Sequence, residues 1–113
     1  MKFPFENSVR KKIFGIEIVE YCGSDNLFPI DCAIAYFRNN KYPCKINHGF
    51  YEMFFILEGS CSVIFENSVV ELQKNDMHII EPEKKHITRA EIADILIICT
   101  PPFDTKNVEF CEM

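Results

Sequence analysis

The chain has 113 residues, a formal net charge of −5 and 48% apolar residues, with 11 Phe and 4 Tyr among them. That fits one compact domain, residues 1–113, whose core needs no staples. Nucleic acid is excluded as an expected partner: phosphate neutralisation needs clustered Lys and Arg, and the short basic pairs Lys11-Lys12 and Lys84-Lys85 have acidic residues nearby.

Residues 1–10 read as a short arm or a turn of helix. Met1 to Glu6 lacks the apolar stretch of a secretion signal, and the longest apolar run, Met53 to Leu57, is too short to span a bilayer. The expected location is the cytoplasm, with no membrane partner. A first strand is predicted over Ile13 to Tyr21, closed by the turn-forming cluster Cys22 to Asn26. A second runs from Ile30 to Phe37, with Arg38 to Lys41 as the next turn. Lys45 to His48 and Tyr51 to Leu57 follow, with Gly49 as a break or bulge between them. Glu58-Gly59-Ser60 turns into Cys61 to Glu66, and Asn67-Ser68 into Val69 to Leu72. Lys74-Asn75-Asp76 leads into Met77 to Glu81. His86 to Arg89 and Ile92 to Cys99 complete the series, and Pro101-Pro102 stops it. Eight or nine short strands at this spacing, with no sustained helical period, predict an all-β sandwich or barrel.

The six cysteines contain no CxxC pair, so a zinc ribbon is not expected. Without an export signal, reduced thiols are expected. Cys32, Cys61 and Cys99 lie in apolar alternations and read as small buried hydrophobes. Cys44 reads as a packed thiol.

Some polar residues stand where a buried strand should be apolar. Glu52 opens the segment Glu-Met-Phe-Phe-Ile-Leu and shares one face with Phe54 and Ile56. A buried carboxylate there needs a cation, a hydrogen-bond network or an exit to solvent. His48, four residues earlier, falls on the same face unless Gly49 breaks the count. His86 enters from another strand after the Pro82 to Lys85 turn. Two imidazoles and one carboxylate suit one divalent metal ion: Fe, Zn, Mn or Ni, or Cu(II). His78, alone in an apolar strand, reads as a core or interface residue. Tyr36 and Arg89, polar-tipped at the ends of apolar strands, are candidates for the pocket. Tyr36 would move a proton and Arg89 would clamp an anion. Asp31 and Thr88 are weaker candidates for the lining.

The stretch from Ile46 to Gly59 resembles the first motif of the cupin family, which reads His, any, His, three or four residues, Glu, six residues, Gly. His48, Glu52 and Gly59 match it, and Ile46 stands where the leading His belongs. Asn75 to His86 resembles the second motif, with His86 matching its His, Asn75 replacing the initial Gly and Pro82 displaced. The resemblance covers roughly residues 30 to 104. It implies a cupin double-stranded β-helix, or jelly-roll barrel, behind the short N-terminal arm. It also implies a metal site on His48, Glu52 and His86, three of the family's usual four ligands.

Fold alone does not choose an activity. The first reading is a metal-dependent enzyme on a small polar metabolite such as a sugar derivative, either isomerase-, epimerase- or lyase-like, through carbonyl polarisation, or dioxygenase-like. The alternative is a non-catalytic binding or sensory cupin, and the third is an accessory protein with a vestigial pocket. The strand Ile13 to Tyr21, apolar on both faces, needs a cover; the resemblance implies pairing with a second copy, as small cupins often do, and a homodimer is the expected assembly.

Overall fold

The computed structural model describes residues 1–23 and 29–113. The described residues form eight antiparallel strands: β1 (Val9–Ile13), β2 (Ile16–Cys22), β3 (Asp31–Asn47), β4 (Tyr51–Phe65), β5 (Val69–Gln73), β6 (Met77–Ile80), β7 (His86–Thr100) and β8 (Val108–Phe110). Short 3₁₀ turns cover Phe5–Asn7 and Thr105–Asn107. Hydrogen bonding orders the strands β1-β2-β3-β7-β4-β5, with β6 added on β4 and β8 on β3. Among the described residues no helix is long and apolar enough to cross a membrane.

The expected strand Ile13 to Tyr21 is borne out over Ile16 to Tyr21, which lies in β2, but it is broken near its start, where Ile13 ends β1 and a hairpin turns. Phe14 and Gly15 both take positive φ, 51° and 79°, and close a two-residue turn with Ile13 paired to Ile16. Such turns match the twist of the flanking strands. The Phe14 ring meets Tyr42 and Phe110 edge-on, which anchors the turn. The outer strand on this side of the sheet is therefore β1, whose Arg10, Lys11 and Lys12 are exposed. Charged side chains on an edge discourage further pairing, so the apolar edge from which association was expected is not the edge that forms. Residues 24–26 of the expected turn Cys22 to Asn26 lie outside the described residues.

Three other expected interruptions are bends inside long strands. Arg38 to Lys41 lies within β3, Glu58 to Ser60 within β4, and the gap between Arg89 and Ile92 within β7. The register stacks them side by side: Arg38 opposes Ile92, Asn40 opposes Ala90, and Gly59 opposes Ala93. Asn39 takes a positive φ of 55°, and the Asn40 side chain accepts a hydrogen bond from the Arg38 N–H at 2.6 Å. The β4–β7 register shifts on both sides of this level. Three neighbouring strands bending together roll the sheet into a barrel, as bulges do elsewhere.

Gly59 makes the bend possible. Its φ is +76°, and a Cβ there would stand 2.0 Å from the Ile92 carbonyl oxygen. Gly59→Ala is expected to cost about 3 kcal/mol, because an unfavourable φ adds to a clash with backbone that must move. Urea unfolding followed by circular dichroism measures it, and a loss under about 1 kcal/mol would mean that β4 and β7 relax apart freely.

The barrel interior is filled by Ile16, Ala35, Phe37, Phe54, Ile56, Cys61, Val63, Leu72, Ile80, Ala90, Ala93 and Ile95. Cys61 and Cys99 are buried, as the alternation predicts, and Cys32 is half-buried.

Candidate active site

Glu52 points inward from the start of β4, on the face it shares with Phe54 and Ile56. The cation it needs is a side chain of the protein. The Lys45 ammonium lies 3.1 Å from Glu52 Oε1 and 3.3 Å from Oε2, and both side chains are 7% exposed. Asn47 Nδ2 donates to Glu52 Oε1 at 3.0 Å. His86, 1% exposed at the start of β7, brings Nε2 to 3.6 Å from the same oxygen, longer than a hydrogen bond. Its Nδ1 donates to the Lys84 carbonyl at 2.7 Å, which fixes the ring and aims Nε2 at the cluster. Asn47 Oδ1 and His86 Nε2 are buried and make no hydrogen bond within the described residues.

Electrostatics locks the pair in its charged form. Burial alone would raise the Glu52 pKa, but the Lys45 ammonium, His86 and Asn47 outweigh it and hold the carboxyl down at about 2. Burial likewise opposes the Lys45 charge, and the Glu52 carboxylate overcomes it and moves that pKa upward. The Lys45 Nζ also lies over the Tyr42 ring, 4.9 Å from its centroid, a contact that favours the cation.

The pair faces a cavity of about 100 Å³. Its walls are apolar, with Ile16, Ile18, Phe37, Phe54, Ile97 and Phe103 prominent, and Tyr42 and Thr88 supply polar tips. Lys11 and Glu20, paired at 3.3 Å and partly exposed, stand at its solvent end. Asp31 also faces the cavity. It accepts hydrogen bonds from the N–H groups of Cys99 (3.1 Å) and Phe103 (2.6 Å), so it ties the segment after β7 to the cavity wall. Burial raises the Asp31 pKa against the pull of those N–H groups.

Of the three expected metal ligands, the structure brings Glu52 and His86 together and turns His48 away. Gly49 takes a positive φ of 79° and breaks the strand between His48 and Glu52, so the even spacing no longer means a shared face. The His48 side chain is 42% exposed. Its Nδ1 meets Glu83, and its Nε2 lies 2.8 Å from Glu109 on β8. Hydrogen bonds that His48 donates to Glu109 first, then to Glu83, raise its pKa. His48 is thus a surface clamp joining the 47–49 bend, the turn before His86 and the C-terminal strand. Tyr36 and Arg89 also lie outside the cavity. Tyr36 has the opposite strand parity to Ala35 and Phe37, and Arg89 is exposed beside a shallow depression with Ser62 and Glu71. His78 is half-buried against the Phe65 ring, which also meets His86, and it is not part of the wall of the cavity that Lys45 and Glu52 face.

A resident divalent ion does not fit these residues. Among the described residues no group of three His, Cys, Asp or Glu side chains is placed to hold one. A dication between Glu52 and His86 would also face the buried Lys45 ammonium, and like charges in a dry site repel strongly.

Lys45 and Asn47 were not legible as site residues because strand parity changes before them. Tyr42 faces the cavity, yet so does Lys45, three positions on; the register shifts between the two, and Pro43 sits in the shift. A proline inside a strand signals such a bulge, and it was the available clue that Lys45 and Asn47, not Ile46 and His48, face inward.

No protein-family model matches the chain, and no curated protein matches it by sequence. Solved structures do match it in shape. A variant of Streptomyces Pac13, a nucleoside dehydratase, with uridine superposes with a TM-score of 0.88 at 13% identity, covering 99% of this chain and 91% of that one. KdgF from Halomonas sp. gives 0.76 at 15% identity over 92% and 97% of the two chains. Ectoine synthase from P. lautus gives 0.74 at 11% identity over 91% and 80%. All share the rolled antiparallel sheet whose motifs the segments around Glu52 and His86 resemble, and this chain is a small cupin-fold protein.

Proposed function

We propose that this chain is a proton-transfer enzyme for a small polar metabolite with a carbonyl group, isomerising it or eliminating water from it, with Lys45 standing where a metal was expected. The observation that carries this reading is the buried Lys45–Glu52 ion pair at the inner end of an apolar cavity. Burying two charges is costly, and paired titratable groups converging on a cavity are a feature of catalytic sites.

The roles follow from position. The Lys45 ammonium donates to a substrate carbonyl oxygen and stabilises the negative charge that grows there. The Glu52 carboxylate takes the proton from the adjacent carbon. At rest Glu52 is a weak base, because Lys45 holds its pKa down. As Lys45 turns to the substrate oxygen, Glu52 loses part of its counter-charge and becomes more basic while still buried. Binding therefore activates the base. Asn47 keeps Glu52 oriented, and His86 Nε2 is placed to share the proton. Returning it to the neighbouring carbon, with a proton shifted between the two oxygens, isomerises the substrate; delivering it instead to a β-hydroxyl, which leaves as water while the carbon–carbon double bond forms, dehydrates it. A cavity of about 100 Å³ is below the ~300–1,000 Å³ of pockets for drug-sized ligands. It suits a compact metabolite, or the reacting end of a larger one. The dehydratase activity in the name of Pac13, and the uridine bound to it, support elimination and make carbonyl-bearing nucleosides worth testing.

The test is hydrogen–deuterium exchange in D₂O with a chelator present. Hydroxy-aldehydes, hydroxy-ketones and carbonyl-bearing nucleosides are incubated with the protein, and the proton next to the carbonyl is followed by NMR. Exchange or turnover that persists in chelator and disappears in Glu52→Gln supports the reading. Activity that requires an added divalent ion returns the site to metal chemistry. Binding without exchange would identify a non-catalytic sensor.

A further inference from the structure

Cys44 and Cys111 lie outside the site. Cys44 belongs to β3 and Cys111 follows β8, and the two strands pair with Lys45 opposite Phe110, so the cysteines are cross-strand neighbours. The Cys111 N–H donates to the Cys44 carbonyl at 3.1 Å, and the two sulfurs stand 2.9 Å apart. A movement of about 1 Å brings them to bonding distance. Cys44 is buried and Cys111 half-buried, so Cys111 is the more accessible member of the pair. The residues are 67 positions apart in sequence.

We propose that Cys44 and Cys111 are a dithiol–disulfide pair that staples the C-terminal strand to β3 by exchange with a low-molecular-weight disulfide of the glutathione class. The step balances. The Cys111 thiolate attacks one sulfur of the small disulfide, whose S–S bond breaks and releases one thiol. The Cys44 thiolate then attacks the Cys111 sulfur of the mixed disulfide and releases the second. The protein loses two electrons and two protons, and the small disulfide is reduced to two thiols. Burial, followed by the neighbouring Cys111, raises the Cys44 pKa to about 11. This suits Cys44 to the second, intramolecular attack, where proximity compensates for a small thiolate fraction.

The staple would act on the site through its scaffold. β8 has three residues, Val108–Phe110, and its Phe110 ring stacks on Tyr42 at 6.3 Å. Tyr42 in turn lies under the Lys45 ammonium, and Lys45 follows Cys44 directly in β3. Oxidation would fix β8, and with it the Tyr42 wall of the cavity.

The experiment treats the reduced protein with oxidised glutathione at pH 8, followed by intact mass and non-reducing peptide mapping. The expected product has lost two hydrogens, joins the Cys44 and Cys111 peptides, and is absent from Cys111→Ser. Its Tm is expected to rise by about 10 °C, because a long loop is closed in the unfolded state. A crosslink between other cysteines, such as the cross-strand neighbours Cys22 and Cys32, would overturn the proposal. So would a product that stops at a glutathione adduct on Cys111, or a crosslink that lowers Tm.

Discussion

Replacing Lys45 with methionine is expected to cost the fold about 3–5 kcal/mol at neutral pH, a large part of the ~5–15 kcal/mol that holds a domain together. Methionine keeps most of the apolar stem and removes the charge. Glu52 is then a buried carboxylate with Asn47 and His86 as its remaining partners, and desolvation drives it to take up a proton. The second half of the test separates pairing from packing. Adding Glu52→Leu to Lys45→Met removes the stranded charge, and buried pairs replaced by apolar residues leave stability about unchanged or raise it by ~1–4 kcal/mol. The double variant should therefore recover the stability lost in the single one, while proton-exchange activity stays absent from both. Urea unfolding by circular dichroism supplies the stabilities. If Lys45→Met costs under about 1 kcal/mol, the pair is not the desolvated charge couple described above, and Lys45 is a poor candidate for the substrate's counter-charge. Recovery of stability without activity would show that the pair serves chemistry at no gain to the fold.

Much of the architecture was written in the alternation of apolar residues. Glu52, Phe54 and Ile56 share the inner face as the period of two requires, and His86 reaches the same cluster from another strand. The fold class and the two motif segments were legible for that reason. The errors have a common physical origin in local departures from the period. Phe14 carries a positive φ that glycine or asparagine more often supplies, so the hairpin at Phe14-Gly15 hid inside an apolar run. The polar groups at Arg38–Lys41 and Glu58–Ser60 resemble turns because bends and turns use the same residues. Only the lateral alignment of β3, β4 and β7 shows that the strands continue through them. At the site, one bulge at Pro43 and one positive φ at Gly49 exchanged the inward set: Lys45 and Asn47 came in, and His48 went out. A buried lysine in a strand is not readable from spacing, since its usual place is the surface.

Acid is expected to remove the stabilisation that Glu52 provides, over a range that identifies it. The Glu52 pKa is lower in the folded protein, about 2, than its ordinary value of 4.5. The folded state therefore prefers the ionised form, and the resulting stability is fully present above pH 4.5. It is lost as pH falls from about 4.5 towards 2, as the unfolded chain takes up a proton that the folded one refuses. The amount at stake is on the order of 3 kcal/mol. Other groups titrate in the same range. Glu83, lowered by His48 and the Gly49 N–H, acts in the same direction, and Asp31, raised by burial, acts in the opposite one. Both persist in a Lys45→Met, Glu52→Gln double variant, so the difference between its stability–pH curve and that of the wild type isolates the buried pair. The wild-type curve should fall more steeply below pH 4.5 than that of the double variant. Parallel curves throughout would mean that Glu52 titrates like a solvated carboxyl, and that a substrate oxygen has no suppressed base to release when it draws Lys45 away.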